Sequence, residues 1–419
     1  MISRYFTKEM LSIWSEVNYY RIWQEIEAAV LKARKDEKLA EKVLNIRIEP
    51  SDILKKEKES NHELNSFLDI LSERIGTGAE RIHSGLTSSD IMDTARIIQL
   101  NRSLDIICSV MLRVKKLLKE KALQYKSLIM CGKTHGQIAE PITLGLKFLR
   151  YLEHFKRNEK RISILKDSIS YAKINGAVGT YSLIDPEEEK EVLHILKLQP
   201  MIVTSQILPR DIFAQYMFCL SLVAASCAEI ALEVRLLTQS GINEISEPFM
   251  KTQKGSSAMP HKKNPIICER ICGLSRLISA NVQTALSNIT LWNERDISHS
   301  SNERIILEDS SVLCHYILKK LEYVIKNIVV HEKNINRNIE DAGIQLFSSG
   351  ILKLLLNKGV RREEAYSVVK TIFDKKIEGQ GILDFINTLI TINDNEFREA
   401  IDIKSYLSNI DYIYKRAGL

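Results

Sequence analysis

Glycine and proline are scarce, 17 and 8 in 419 residues. Breakers at that density cannot punctuate an array of short strands and turns, and they leave room for long helices. The seven cysteines (108, 131, 219, 227, 268, 272 and 314) include no CxxC pair and no even framework. That excludes a disulfide scaffold and points to reduced, mostly buried thiols in a cytoplasmic protein. Cys268 and Cys272 lie four apart with His261 nearby, but no second ligand pair follows at zinc spacing, so no metal site is expected. The net charge of +6 comes without a dense Lys/Arg block, which argues against a nucleic-acid binder and leaves an anionic small molecule as a fitting ligand. MISRYFTKEM carries charges within ten residues and no apolar core, so no signal peptide is expected. The most apolar stretch, 213–237, contains Glu229, Glu233 and Arg235. Those charges speak against a membrane span and for the core of a helical bundle or oligomer.

Helical patterning fills most of what is there. Ile13, Val17, Ile22, Ile26 and Val30 fall near helical spacing within 9–38. Pro50 breaks the pattern, and Ser51-Asp52 offers a cap for the next helix. Further helices are expected over 64–75, 90–120, 141–172 (entered through Pro141), 210–239, 265–292, 305–327 and 332–338. Glycines at 350, 359, 379 and 381 shorten the helices towards the C-terminus. The expected fold is all-α in three parts: an N-terminal helical domain (1–100), a central long-helix bundle (101–345) and a small helical C-terminal domain (346–419). No repeat of fixed period is present.

Short polar segments interrupt these helices at 83–90, 132–140, 175–181, 205–211, 255–264 and 293–304. Each concentrates His, Ser, Thr, Asn, Gln, Lys or Arg, and loops on a rigid scaffold are where chemistry is usually carried. In GSSAMPHKKNP (255–265), two prolines bracket a basic tetrapeptide. Lys262 and Asn264 can face one anionic oxygen, and backbone N–H groups near Ser257 and Met259 add donors.

That eleven-residue loop resembles the signature of the fumarase/aspartase superfamily, and its AMPHKKNP ending resembles the adenylosuccinate lyase branch. HSGLTSSDIMDTA (83–95), KTHGQIAEP (133–141), ERDISHSSNERI (294–305) and the opening MISRYFTKEMLSIWSE resemble that branch as well, in the family's order. Five ordered blocks are a far stronger signal than one short motif.

The resemblance implies elimination of fumarate from N6-succinyl-AMP, giving AMP, and from a succinyl-carboxamide ribotide in purine biosynthesis. A proton next to a carboxylate must leave, so the reaction needs a base at carbon, donors at the developing aci-carboxylate and an acid at the departing nitrogen. By resemblance Ser256 is the base and His135 the acid. Ser257, Lys262 and Asn264 hold the carboxylate. His62 and His83 lie near substrate, with Thr87 and Ser88 beside them. Gln206, in the SQILPRD segment with Arg210, reaches the substrate. Arg295, Ser300 and Arg304 contact the nucleotide, and Arg4 with Tyr5 the phosphate. Arginine suits such anions because its planar fork donates twice. No metal or organic cofactor is implied, because the substrate carboxylate is the electron sink.

The sequence departs from the family pattern at several points. Asn61 stands where bacterial relatives have Arg, and Glu63 replaces Asp. Lys133 replaces Arg, and Ile212-Phe213 follows Arg210-Asp211 in place of a more polar pair. These changes bear on substrate affinity and identity more than on reaction type, so Asn61 and Glu63 are kept with His62 as substrate-site candidates. The alternatives are another fumarate-forming lyase of the argininosuccinate lyase or aspartase type, and a catalytically inactive structural paralogue. A homotetramer with active sites shared between chains is implied, with neither nucleic acid nor membrane as partner.

Overall fold

The computed structural model describes residues 3–250 and 252–419. The N-terminal third is built from helices α1 (Lys8–Trp14), α2 (Glu16–Ala33), α3 (Glu37–Asn45), α4 (Pro50–Ser60) and α5 (Glu63–Ile75). The long helix α6 (Ser88–Gln124) leads into an antiparallel hairpin, β1 (Ile129–Thr134) and β2 (Gln137–Thr143). Helices α7 (Leu144–Ile169), α8 (Pro186–Ile195), α9 (Asp211–Leu237), α10 (Ile266–Ser287) and α11 (Ser298–Lys326) follow. Shorter helices complete the chain from Glu332 onward. Two further two-residue strand pairs join Tyr171–Ala172 to Gln199–Pro200 and Ile245–Ser246 to Val329–Val330.

Local chemistry explains the boundaries. The amphipathic 9–38 stretch splits at Ser15, whose side chain caps α2 by accepting the Asn18 N–H, and it ends at Ala33. Helix α4 starts with Pro50 itself, without a side-chain cap from Ser51 or Asp52. It stops at Asn61 in the left-handed conformation, φ 50°. Pro141 lies in β2, and the following helix begins only at Leu144. Proline is tolerated there because its missing N–H costs nothing where no ladder bond is required of it.

The residues cluster into two compact units. One comprises the chain up to Val114 with Phe155–Ala231 and Glu269–Tyr323; the other comprises Lys115–His154, Leu232–Cys268 and Val324–Leu419. The boundaries fall within α6, α7, α9, α10 and α11, each of which supplies residues to both units. In the first unit Trp23 and Phe67 are fully buried, edge to face with centroids 5.2 Å apart. In the second, Ile351, Leu355, Ile372 and Ile386 form a fully buried aliphatic core among the C-terminal helices. Helix α9 is long and apolar enough to cross a membrane, with a mean hydropathy of 1.8 over its most apolar window, and half of that window is buried.

Candidate active site

In the first unit, the start of α11 gathers basic and polar side chains. Arg295, Ser300 and Arg304 line one small cavity together with Tyr19, Asp93 and Arg96. The Ser-His-Ser-Ser run opens α11, so Ser300 and Arg304, four apart, share a face. Arg304 pairs with the Glu63 carboxylate, which also accepts a 3.1 Å hydrogen bond from the Tyr20 hydroxyl. Burial works against the Arg304 charge, but Glu63 outweighs it and holds the guanidinium above its ordinary pKa. Arg295 donates to Gln206 Oε1 at 3.1 Å, and burial pulls its pKa below the ordinary arginine value. Arg295 Nε and His299 Nε2 are buried without a hydrogen-bond partner among the described residues. Such groups are costly unless a ligand or water meets them.

A buried network holds this cavity in shape. Arg210 grips Asp93 through two bonds of 2.7 and 2.9 Å, approaches Glu303 at 3.1 Å and contacts His299 Nδ1 at 3.1 Å. Burial alone would push the Asp93 carboxyl up, but Arg210 and the Leu208 N–H hold it below the usual range. The SQILPRD segment is therefore pinned beneath Gln206 by its own arginine. The sequence does not show that Asp93 and Glu303 meet at one arginine, because the two acids come from separate blocks.

The 83–90 segment is held as tightly. His83 adopts a left-handed backbone, φ 57°, and its backbone N–H and Nδ1 both contact Glu27, at 3.1 and 2.7 Å. Thr87 donates its N–H to Asp90 Oδ2 at 2.8 Å, and Ser88 is the first residue of α6. Asp90 is fully buried, pairs with the equally buried Lys173 and takes the N–H groups of Asn175 and Gly176. His62 caps α5, its Nδ1 accepting the Asn65 N–H at 3.2 Å. Arg4 and Tyr5 lie in a short turn of 3-10 helix, with the Tyr5 ring edge-on to Tyr316 at 5.2 Å.

In the second unit, His135 sits at the tip of the β1–β2 hairpin. Thr134 pairs with Gln137, leaving His135 and Gly136 as a two-residue turn with φ of 52° and 76°. Two positive φ values mark the turn geometry that matches strand twist. The histidine is thus presented, exposed, at the tip of the hairpin. The polar 132–140 segment is strand and turn, since a bulge at Gly132 and the turn at 135–136 hide the alternation. Gly132 packs so closely on the Glu140 carbonyl that a side chain there would collide.

The 255–265 loop folds back on itself. The Ser256 N–H donates to the Lys262 carbonyl at 3.3 Å, and Ser256 Oγ accepts the Met259 N–H at 3.2 Å. Gly255 lies against the Pro260 carbonyl, where a Cβ has no room. Ser257 and Lys262 are exposed and Asn264 is half-buried. Past the loop, Glu247 accepts the N–H groups of Ile267 and Cys268 at 3.0–3.1 Å, a carboxylate at the start of α10. His135 and Ser256 stand on separate segments of this unit, and no hydrogen bond joins them among the described residues.

The family described as lyase matches residues 7–282. The adenylosuccinate lyase of Aquifex aeolicus is 39% identical over 99% of this chain and 98% of its own length. Those of Thermotoga maritima and Bacillus subtilis are 38% and 37% identical over 99% and 100% of both chains. Among solved structures, a fumarate lyase from a Mesorhizobium species superposes with a TM-score of 0.87 at 20% identity, covering 100% of this chain and 99% of its own. The 3-carboxy-cis,cis-muconate lactonizing enzyme of Pseudomonas putida gives 0.88 at 22%, covering 99% and 96%. At those identities the solved structures speak to the helical fold alone, while the full-length relatives speak to the family. The chain is a lyase and belongs to the adenylosuccinate lyase family.

Proposed function

We propose that this enzyme cleaves N6-succinyl-AMP to AMP and fumarate, and the succinyl-carboxamide ribotide SAICAR to AICAR and fumarate, as a soluble cytoplasmic enzyme of purine biosynthesis. The observation that carries this reading is full-length identity of 36–39% to five adenylosuccinate lyases. The clustering of Arg295, Ser300 and Arg304 around one cavity fits a phosphate-bearing substrate.

In the proposed reaction Ser256 Oγ, as its conjugate base, takes the proton from the carbon beside the succinyl carboxylate. The electron pair moves onto that carboxylate, which Ser257, Lys262 and Asn264 stabilise. The C–N bond then breaks, a C=C bond forms, and His135 delivers a proton to the departing nitrogen. The Met259 N–H at Ser256 Oγ supports the first step, because a fixed donor favours the charged oxygen. His62, His83, Thr87, Ser88 and Gln206 would line the rest of the substrate site with Arg4, Tyr5, Asn61 and Glu63, and no metal or cofactor enters the scheme.

We further propose a homotetramer whose active sites are shared between chains. Phe218, Leu232 and Leu236 on α9 are 55%, 47% and 43% exposed, a large apolar face for one chain to leave to water. The test of function is a spectrophotometric assay with N6-succinyl-AMP. Turnover of argininosuccinate or aspartate in its place would overturn the reading, and failure with every fumarate adduct would leave the inactive-paralogue alternative standing.

A further inference from the structure

Helix α2 grips two polar segments of the first unit from one side. Tyr20 and Glu27 in the helix and Arg34 at its C-cap are each seven residues apart, close to two turns, so they leave it on one face. Tyr20 donates to Glu63, Glu27 binds His83, and Arg34 donates to the Ser84 carbonyl at 2.9 Å. Glu27 is the least expected of the three. It is fully buried, and an ionised carboxylate in that setting needs strong partners. It finds them in one residue: Oε2 takes the His83 backbone N–H and Oε1 meets Nδ1.

This arrangement does two things to His83. It secures a left-handed backbone that a non-glycine residue adopts only when its surroundings enforce it. It also fixes the ring: a carboxylate accepts only an N–H, so Nδ1 carries the proton and Nε2 is the ring atom left for a ligand. The His83 side chain keeps 16% of its surface open. A buried carboxylate that sets the tautomer and angle of an imidazole is a common way to tune that imidazole.

We infer that Glu27 is a positioning residue for the lyase reaction, orienting His83 so that Nε2 faces the succinyl-purine substrate. The inference rests on the reading that His83 belongs to the substrate site. The experiment compares Glu27→Gln, Glu27→Asp, His83→Ala and the double variant Glu27→Gln/His83→Ala, scored by kcat, KM and thermal midpoint on N6-succinyl-AMP. Glu27→Gln keeps the shape but loses the charge, and Glu27→Asp keeps the charge but withdraws it from the ring. Both are expected to lose about 10–100-fold in kcat/KM at near-wild-type melting temperature. In the His83→Ala background, Glu27→Gln should change activity less than about twofold, because the two residues act as one unit. Fully active Glu27 variants beside a crippled His83→Ala overturn the inference alone. So do multiplied losses in the double variant, or failure of both Glu27 variants to fold, which would make Glu27 a purely structural residue. A fully active His83→Ala overturns the site reading itself, and this inference with it.

Discussion

Side chains that look alike in the sequence differ sharply in what their surroundings let them do. Of the nine histidines, His135 stands exposed on a turn, His62 caps a helix and His83 is locked to a carboxylate. His315 is buried against the N-terminal segment, its Nδ1 2.8 Å from the Thr7 hydroxyl, and burial lowers its pKa from 6.5 to about 4. The unfolded chain therefore takes up a proton between those values that the folded chain refuses. Stability should fall as pH drops from about 6.5 to 4, by up to about 3 kcal/mol from this one group. Urea unfolding of His315→Asn, which retains an acceptor for Thr7, should show a shallower slope across that window; an unchanged slope would refute the assignment. For the chemistry, His135→Ala and Ser256→Ala should each lower kcat by about 10²–10⁴ with little change in melting temperature, as expected of an acid and a base. A loss confined to KM in either variant would remove it from the proton-transfer steps.

At the scale of elements, the site depends on how loops are anchored more than on the loops themselves. The hairpin offers a graded test. Ala at Gly136 meets no atom within 4 Å, so its cost is the left-handed backbone alone, about 1–2 kcal/mol. Gly132 is not left-handed, but Ala there collides with the Glu140 carbonyl and should destabilise more, with kcat falling as His135 shifts. Equal thermal midpoints for the two variants would contradict the bulge geometry. In the first unit Asp93→Asn leaves the buried Arg210 without its main counter-charge, and should cost about 3–5 kcal/mol by denaturant titration. The same variant should weaken substrate binding, because Arg210 pins the segment that carries Gln206. Full stability of Asp93→Asn would show that Glu303 alone compensates the guanidinium.

For the whole molecule, the proposal of shared sites predicts complementation. Mixing inactive His135→Ala with inactive Ser256→Ala under conditions that exchange subunits should restore part of the activity, because some hybrid sites receive an intact copy of each residue. No recovery, with hybrids demonstrated by mass, would count against sharing. Placing Asp at Phe218 on α9 should lower the assembly size seen by sedimentation, since a charge is then buried against another apolar face. Unchanged sedimentation would place the interface elsewhere.

Residue types and their order pointed to the helical fold class, and the resemblance they carry named the residues proposed for the site. Scarce glycine and proline leave long helices as the default, and five polar blocks in one order name a family. What they could not convey is how those blocks are held. The β1–β2 hairpin was masked because Gly132 and the His135-Gly136 turn disrupt the strand period, so 132–140 read as an irregular loop. Glu63, marked as a departure near the substrate, is engaged by Arg304 and Tyr20, residues 241 and 43 positions away. Glu27 lies within the amphipathic 9–38 stretch, and only folding sets it, fully buried, against His83. Sequence records which groups can donate and accept; only tertiary packing decides which are removed from water and must therefore find each other.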